Sequence, residues 1–341
     1  MPSDALQHEP VLLAEVLEAL GPVAGETYID ATLGAGGYSR AILGAGAGAG
    51  VRVVALDRDP DVIKAAQNWG RAYGDCLFVV ETPFDGMRAA IEDLRIDAVD
   101  GVVFDLGVSS MQLDQSQRGF SFRTDGPLSM RMDGGRPNAF DLVNGSDARD
   151  LAAIFRLYGE ERKANLIARA IVAARASKPI DTTLALADII ANAAPGKRED
   201  KIHPATRTFQ AIRIFVNDEL GQFVRALLAA EAVIKPGGRL VIVSFHSLED
   251  RIAKRFFAER TRSAPTASRH APVDAAPSPT FEGASKAIAP TAEECTRNAR
   301  ARSAKLRYGT RTAAPAREDM SAFAPRTPIF TPFLSQWSTG S

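Results

Sequence analysis

Cysteine is nearly absent. Only Cys76 and Cys295 occur among 341 residues, which argues against a disulfide scaffold or a cysteine-based zinc site and fits a reducing compartment. Net charge is missing too, since 41 Lys and Arg balance 41 Asp and Glu. Any nucleic-acid binding would then come from local clusters of Lys and Arg, not from a global field. No apolar run has the length of a membrane span, and the start, with Asp4, His8 and Glu9, lacks the charged-then-apolar pattern of a signal segment. A cytoplasmic enzyme with no membrane partner is expected. The 45% hydrophobic content is ordinary for a globular chain, and the length leaves room for two domains.

What is present is organised around Tyr28 to Ser39. A short apolar run ends at Asp30, the chain passes Gly34, Gly36 and Gly37, and a helical pattern runs from Tyr38 to Leu43. Strand, tight turn and helix start in that order let backbone approach a ligand and offer it free N–H groups. The third glycine of a dinucleotide fingerprint is lacking, because Ser39 occupies its place. Asp30 suits a cationic amino group instead. The next strand, Val51 to Leu56, ends at Asp57, which is placed to hold both ribose hydroxyls. An amino acid joined to an adenosine, as in S-adenosylmethionine, needs both carboxylates. The alternative is a glycine-rich turn that serves only strand and helix packing.

Along the chain, Leu12, Leu13, Val16, Leu17 and Leu20 form one helical stripe. Gly44 to Gly50 reads as a flexible connection, and Asp61 to Asn68 as a helix with acid in its first turn. A third strand, Leu77 to Val80, precedes Phe84, a candidate for adenine contact or for plain core. The fourth, Gly101 to Phe104, stops at Asp105, and the fifth, Arg239 to Val243, stops at Ser244-Phe-His246. Far more chain separates these two than the roughly 30 residues of one crossover unit, so something is inserted. That insert, 113–203, is irregular at first and then helical, with apolar periodicity at Leu151, Ile154, Phe155 and Tyr158, at Ile167, Ile171 and Val172, and at Leu184, Leu186, Ile189 and Ile190. Its basic residues, among them Arg162, Lys163, Arg169, Lys197, Arg198 and Lys201, fit a solvated face as well as a nucleic-acid contact.

The expected organisation is a first sheet part at 1–112, the helical insert at 113–203 and a second sheet part at 204–311. A long helix, Ala211 to Ile234, returns to the sheet. Ser263 to Thr280, rich in Ala, Pro and Ser, is expected to be a mobile loop. Phe281 to Ile288 and Ala304 to Tyr308 are the expected last strands, beside a basic cluster from Arg297 to Arg307. The tail, 312–341, is expected to be disordered.

Six blocks, Asp30-Ala-Thr-Leu-Gly-Ala-Gly-Gly37, Leu56-Asp-Arg-Asp-Pro60, Phe104-Asp-Leu-Gly-Val-Ser-Ser110, Arg118-Gly-Phe-Ser-Phe122, His203-Pro-Ala-Thr-Arg-Thr-Phe-Gln-Ala211 and Ser244-Phe-His-Ser-Leu-Glu-Asp250, together resemble the bacterial ribosomal RNA small-subunit methyltransferase H family. The resemblance runs in order from about His8 to Arg307. It implies an α/β fold, the class I S-adenosylmethionine-dependent methyltransferase sheet (Rossmann-like, doubly wound) with an inserted small helical domain. The implied reaction is methylation of the exocyclic N4 amine of a cytidine in the decoding region of 16S ribosomal RNA, the implied cofactor S-adenosyl-L-methionine, and the partner 16S RNA in free or subunit-bound form. Monomer and homodimer both stay open. By motif, Gly36, Gly37, Tyr38, Asp57, Phe84, Asp105 and Gln112 carry the cofactor, joined by Asp30 and Gly34 from the reading above. Tyr38 stands where the family commonly has His, so no imidazole role transfers, and the Ala-Pro-Ser segment before Phe281 also departs from the usual pattern.

Methyl transfer from a sulfonium is a direct displacement that demands alignment and exclusion of water, with no metal required. A cytosine amine is a poor nucleophile, so an acceptor for its N–H groups helps, and Asp105 is the first candidate for orienting either amine or cofactor. Methylation at carbon 5 would need a cysteine nucleophile, and neither cysteine ends the fourth or fifth strand. Phe120, Phe122 and Phe245 are candidates to stack on a splayed base, against a packing role for each. His203 and His246 are candidates for RNA contact or for structural hydrogen bonds, and Arg123, Arg131, Arg207 and Arg213 for phosphate contact. The competing functions are a methyltransferase acting on DNA or protein and a non-catalytic S-adenosylmethionine-binding module.

Overall fold

The computed structural model describes residues 10–45, 50–196, 202–263 and 278–325. Its chain forms two compact units, Met1–Gly107 with Leu220–Pro325, and Val108–Glu219.

The first unit is built on a seven-stranded sheet in the order β3-β2-β1-β4-β5-β7-β6. The strands are β1 (Thr27–Asp30), β2 (Arg52–Asp57), β3 (Leu77–Glu81), β4 (Val99–Asp105), β5 (Ile234–Ser244), β6 (Phe281–Glu282) and β7 (Lys305–Arg311). β1 to β5 pair in parallel, whereas β7 runs antiparallel to β5 and to β6. Fully buried runs such as Val53 to Leu56 and Val102 to Phe104 mark strands covered on both faces. Around them lie α1 (Leu13–Leu20), α2 (Gly37–Ala45), α3 (Pro60–Gly70) and α4 (Met87–Asp93). Asp59 starts α3 by accepting the Asp61 N–H, with Pro60 at the first helical position, a combination that preorganises a helix start.

In the second unit α5 (Ser110–Asp114) is followed by α6 (Ala139–Gly145), α7 (Ala148–Gly159), α8 (Ala164–Arg175), α9 (Thr183–Ala193) and α10 (Thr206–Val216). Asn138, Asp147 and Thr182 cap α6, α7 and α9. Leu151, Ile154 and Phe155 of α7 are buried with Ile167 and Ile171 of α8, as the 3.6-residue period requires, while Leu184 of α9 is exposed.

The expected boundaries and two expected elements differ from those observed. The helical unit is longer than 113–203 because α10 packs on α6 and α7 within it. Ala211 to Ile234 is not one helix: α10 stops at Val216 and α11 (Glu219–Val233) begins afresh. Asn217 is drawn out of the helical pattern, its side chain accepting the Met132 N–H at 3.0 Å and donating to the Met130 carbonyl at 2.7 Å. Asp218 then takes a left-handed φ of 47°, which Asp tolerates better than most residues.

The last two helices are α12 (Ser247–Arg260) and α13 (Ala292–Arg297). The expected disordered tail is corrected over 312–325. Phe323 is buried edge-on to Phe256, and Arg260, fully buried, bonds Glu231 at 2.7 Å and the Asp319 carbonyl. Apolar burial and satisfied charge together offset the entropy of ordering this segment. Residues 326–341, most of the expected loop at 263–280, and Lys197, Arg198 and Lys201 lie outside the described residues. No described helix is long and apolar enough to cross a membrane.

Candidate active site

In the first unit, β1, β2 and β4 end on Asp30, Asp57 and Asp105 at one edge of the sheet, the edge where open parallel sheets place ligands. Asp30 and Asp57 are held by neighbouring groups and Asp105 is not. Asp30, fully buried, accepts the Ser39 hydroxyl at 2.7 Å and the Thr32 N–H at 3.2 Å. Asp57 accepts the Gly34 N–H and the Asp59 N–H, each at 3.0 Å. Asp105 receives no such bond on Oδ1, which is buried and without a partner among the described residues, although its own N–H donates to the Thr32 hydroxyl at 2.6 Å.

Three acids in one dry corner repel one another. Burial, reinforced by the charge on Asp30 and then Glu249, pushes the Asp105 carboxyl up to about 8. Burial, opposed by the Ser39 hydroxyl, leaves Asp30 at about 6, and burial also raises Asp57. Such a site favours a cationic ligand. S-adenosylmethionine, with a sulfonium, an ammonium and a ribose diol, fits this donor and acceptor set.

The glycine loop is shaped largely by packing. Gly36 has a φ of 81°, and a Cβ there would lie 2.3 Å from Trp69, whose indole also carries Arg40 at 4.2 Å over its ring. A Cβ on Gly37 would lie 2.2 Å from Pro10. The close approach the glycines permit is thus to Trp69 and Pro10 as side chains; the Gly36 N–H donates to the Leu33 carbonyl at 2.7 Å, which leaves the Gly37 N–H, at the first residue of α2, for a ligand. Tyr38 is buried, and its hydroxyl donates to the Val11 carbonyl, so its contribution to a ligand is limited to backbone. Phe84, half-buried after β3, sits edge-on to Phe104, which is itself edge-on to Phe223.

The remaining candidates separate by unit. His246 in the first unit caps α12, its Nδ1 accepting the Glu249 N–H, while Glu249 returns a bond to the Phe245 N–H at 2.8 Å. Its imidazole is structural at Nδ1. Gln112, in the second unit, is buried and accepts the Ser109 N–H at 3.1 Å. There Phe120 is core, whereas Phe122 packs 4.7 Å from the exposed His203 ring and 4.8 Å from Phe209. Arg123 and Arg207 are exposed. Arg131 and Arg213 are not available for phosphate, since Arg131 bonds Asp133 and the Val216 carbonyl, and Arg213 grips Glu219 through two bonds of 2.8 Å. Cys76 precedes β3 and Cys295 lies in α13, far along the chain from either strand end that meets a substrate.

Thr32, Ser39, Trp69 and Glu249 were missed by sequence reasoning. Only Glu249 left a readable trace, the spacing of a capping box from His246.

Strand order with an antiparallel β7, the glycine turn after β1 and the acid ending β2 define a class I S-adenosylmethionine-dependent methyltransferase. A profile of the MraW methylase family matches residues 5–312. The ribosomal RNA small subunit methyltransferase H of Parvibaculum lavamentivorans is 52% identical over 92% of this chain and 92% of its own. That of Mesorhizobium japonicum is 53% identical over 95% and 94%. The chain belongs to the MraW methylase family.

Proposed function

We propose that this protein methylates the exocyclic N4 amine of a cytidine in the decoding region of 16S ribosomal RNA, within the small subunit. Relatives bearing a small-subunit RNA methyltransferase name at this level of identity support the RNA substrate. The observation that carries the chemistry is the Oδ1 of Asp105 at the end of β4, buried and without a partner among the described residues.

The bound cofactor supplies an electrophilic methyl group. In our reading the N–H groups of Gly37 and Tyr38, the close backbone approach that Gly36 allows, and the carboxylates of Asp30 and Asp57 fix its polar ends, and Phe84 borders its ring. Gln112 shapes the loop that follows β4. Asp105 accepts an N–H of the amine, which draws the nitrogen lone pair out of conjugation as the new N–C bond forms and the S–C pair returns to sulfur. The amine then loses a proton, which Asp105 can take once the positive charge of the bound cofactor has favoured its ionised form over the protonated one that burial holds to about 8 in the free protein. In the first unit Phe245 is assigned to base stacking; in the second, Phe122 with His203 is assigned to RNA bases and Arg123 and Arg207 to phosphates. Phe120 and His246 act by holding these segments.

Purified protein is incubated with isotopically labelled S-adenosylmethionine and unmethylated small subunits or free 16S RNA, and the digested nucleosides are identified by mass spectrometry. Labelled N4-methylcytidine is expected. Label in protein or in 5-methylcytidine would refute the reading.

A further inference from the structure

No acidic residue stands between Glu294 and Glu318. Within this stretch a 3-10 turn, Ala299–Ser303, leads into β7, whose first residue, Lys305, is in register with Ser244 at the end of β5. Because β7 is antiparallel, its start stands at the same edge as the ends of β1, β2 and β4 that carry the three acids. At a strand spacing of ~4.8 Å, β7 begins ~10 Å across the sheet from β4.

The side chains here are sorted by burial. Ala301, Ala304 and Leu306 enter the core, while Arg297, Arg302 and Lys305 are exposed. The Asn298 side chain accepts the Arg300 N–H at 3.1 Å and Ala304 N–H bonds the Ala301 carbonyl at 2.9 Å, so Arg302 projects from a fixed turn and Arg297 from the last residue of α13 just before it. Lys305 and Arg307 are held by Asp250, each at 2.8 Å. Glu294 is engaged by the Leu12 N–H. Arg297 and Arg302 have neither ion pair nor side-chain hydrogen bond among the described residues.

We propose that Arg297 and Arg302 bind backbone phosphates of the substrate RNA beside the target nucleotide; this rests on the RNA reading above. In a chain of zero net charge, attraction to a polyanion must come from such a local excess. Guanidinium groups on a rigid turn suit phosphate oxygens, and contacts of this kind set the position of the strand while the base is read elsewhere.

The test compares the wild type with the double variants R297A/R302A and R297K/R302K, all checked for an unchanged melting curve. Filter binding to unmethylated 16S RNA across a salt series gives Kd and its salt slope, and methyl transfer gives KM and kcat. For R297A/R302A we expect Kd and KM for RNA to rise about tenfold or more, and the slope of log K against log salt to fall by roughly 0.7 for each lost contact. Cofactor affinity and kcat at saturating RNA stay unchanged, and R297K/R302K keeps most of the slope. An unaltered Kd and slope in R297A/R302A, with a wild type that methylates RNA, overturns the proposal alone. A wild type that labels protein and not RNA overturns both it and the function it rests on.

Discussion

Asp105→Asn should make the free protein more stable while removing its activity. Below the ordinary carboxyl value of 3.8 the side chain is neutral in folded and unfolded chains alike, so Asp105 carries no penalty there. As pH rises the unfolded carboxyl ionises first, whereas the folded one holds its proton to about 8. Stability is therefore lost progressively between these two values. Linkage puts the loss at ~2 kcal/mol at pH 5, ~4 kcal/mol at pH 7 and ~6 kcal/mol at pH 9. Asparagine is near in shape and cannot ionise, so it lifts this penalty. Thermal melts of cofactor-free wild type and variant at pH 5, 7 and 9 measure the difference, and a shift of roughly 1–2 °C for each kcal/mol is expected. The gap must widen with pH. A gap that is constant, or that narrows toward pH 9, would refute a buried and uncompensated carboxyl. The same argument predicts that cofactor binding to the wild type expels protons near pH 7, visible as a dependence of the calorimetric heat on buffer ionisation enthalpy.

Gly36→Ala should weaken cofactor binding at least tenfold, since a methyl group at 2.3 Å from Trp69 on a φ of 81° forces the loop to move; equilibrium dialysis against S-adenosylmethionine checks this, and unchanged affinity would contradict a packed loop. Glu231→Ala strands the fully buried Arg260 and should cost about 3–5 kcal/mol in denaturant unfolding. Phe323→Ala, which empties a fully buried ring site beside Phe256, should cost about 3–5 kcal/mol, and a loss near zero would mean that 312–325 does not pack on α12.

Much of the sheet was legible because strand ends announce themselves locally. Asp30, Asp57 and Asp105 each close an apolar run, and β1 to β5 follow from those runs, while six motif blocks in order carry the family resemblance. The helical insert was legible from its period, although its limit at Glu219 was not. That limit depends on Asn217 reaching Met130 and Met132, residues more than 80 positions away, which no local pattern carries.

The site shows the same division. Sequence alone determined that acids and glycines would gather at the carboxyl edge of a parallel sheet, since chain order and strand polarity suffice for that. Only tertiary structure decided that Ser39 and Thr32 would satisfy Asp30, that Asp105 would keep an oxygen unpaired, and that Trp69 would seat Gly36. It likewise decided which arginines face solvent. Arg131 and Arg213 looked as free as Arg297 and Arg302 until Asp133 and Glu219 were seen to hold them. Hydrogen bonding and burial are pairwise properties of distant residues, and a carboxylate's charge or a guanidinium's freedom is set by whichever neighbours the fold supplies.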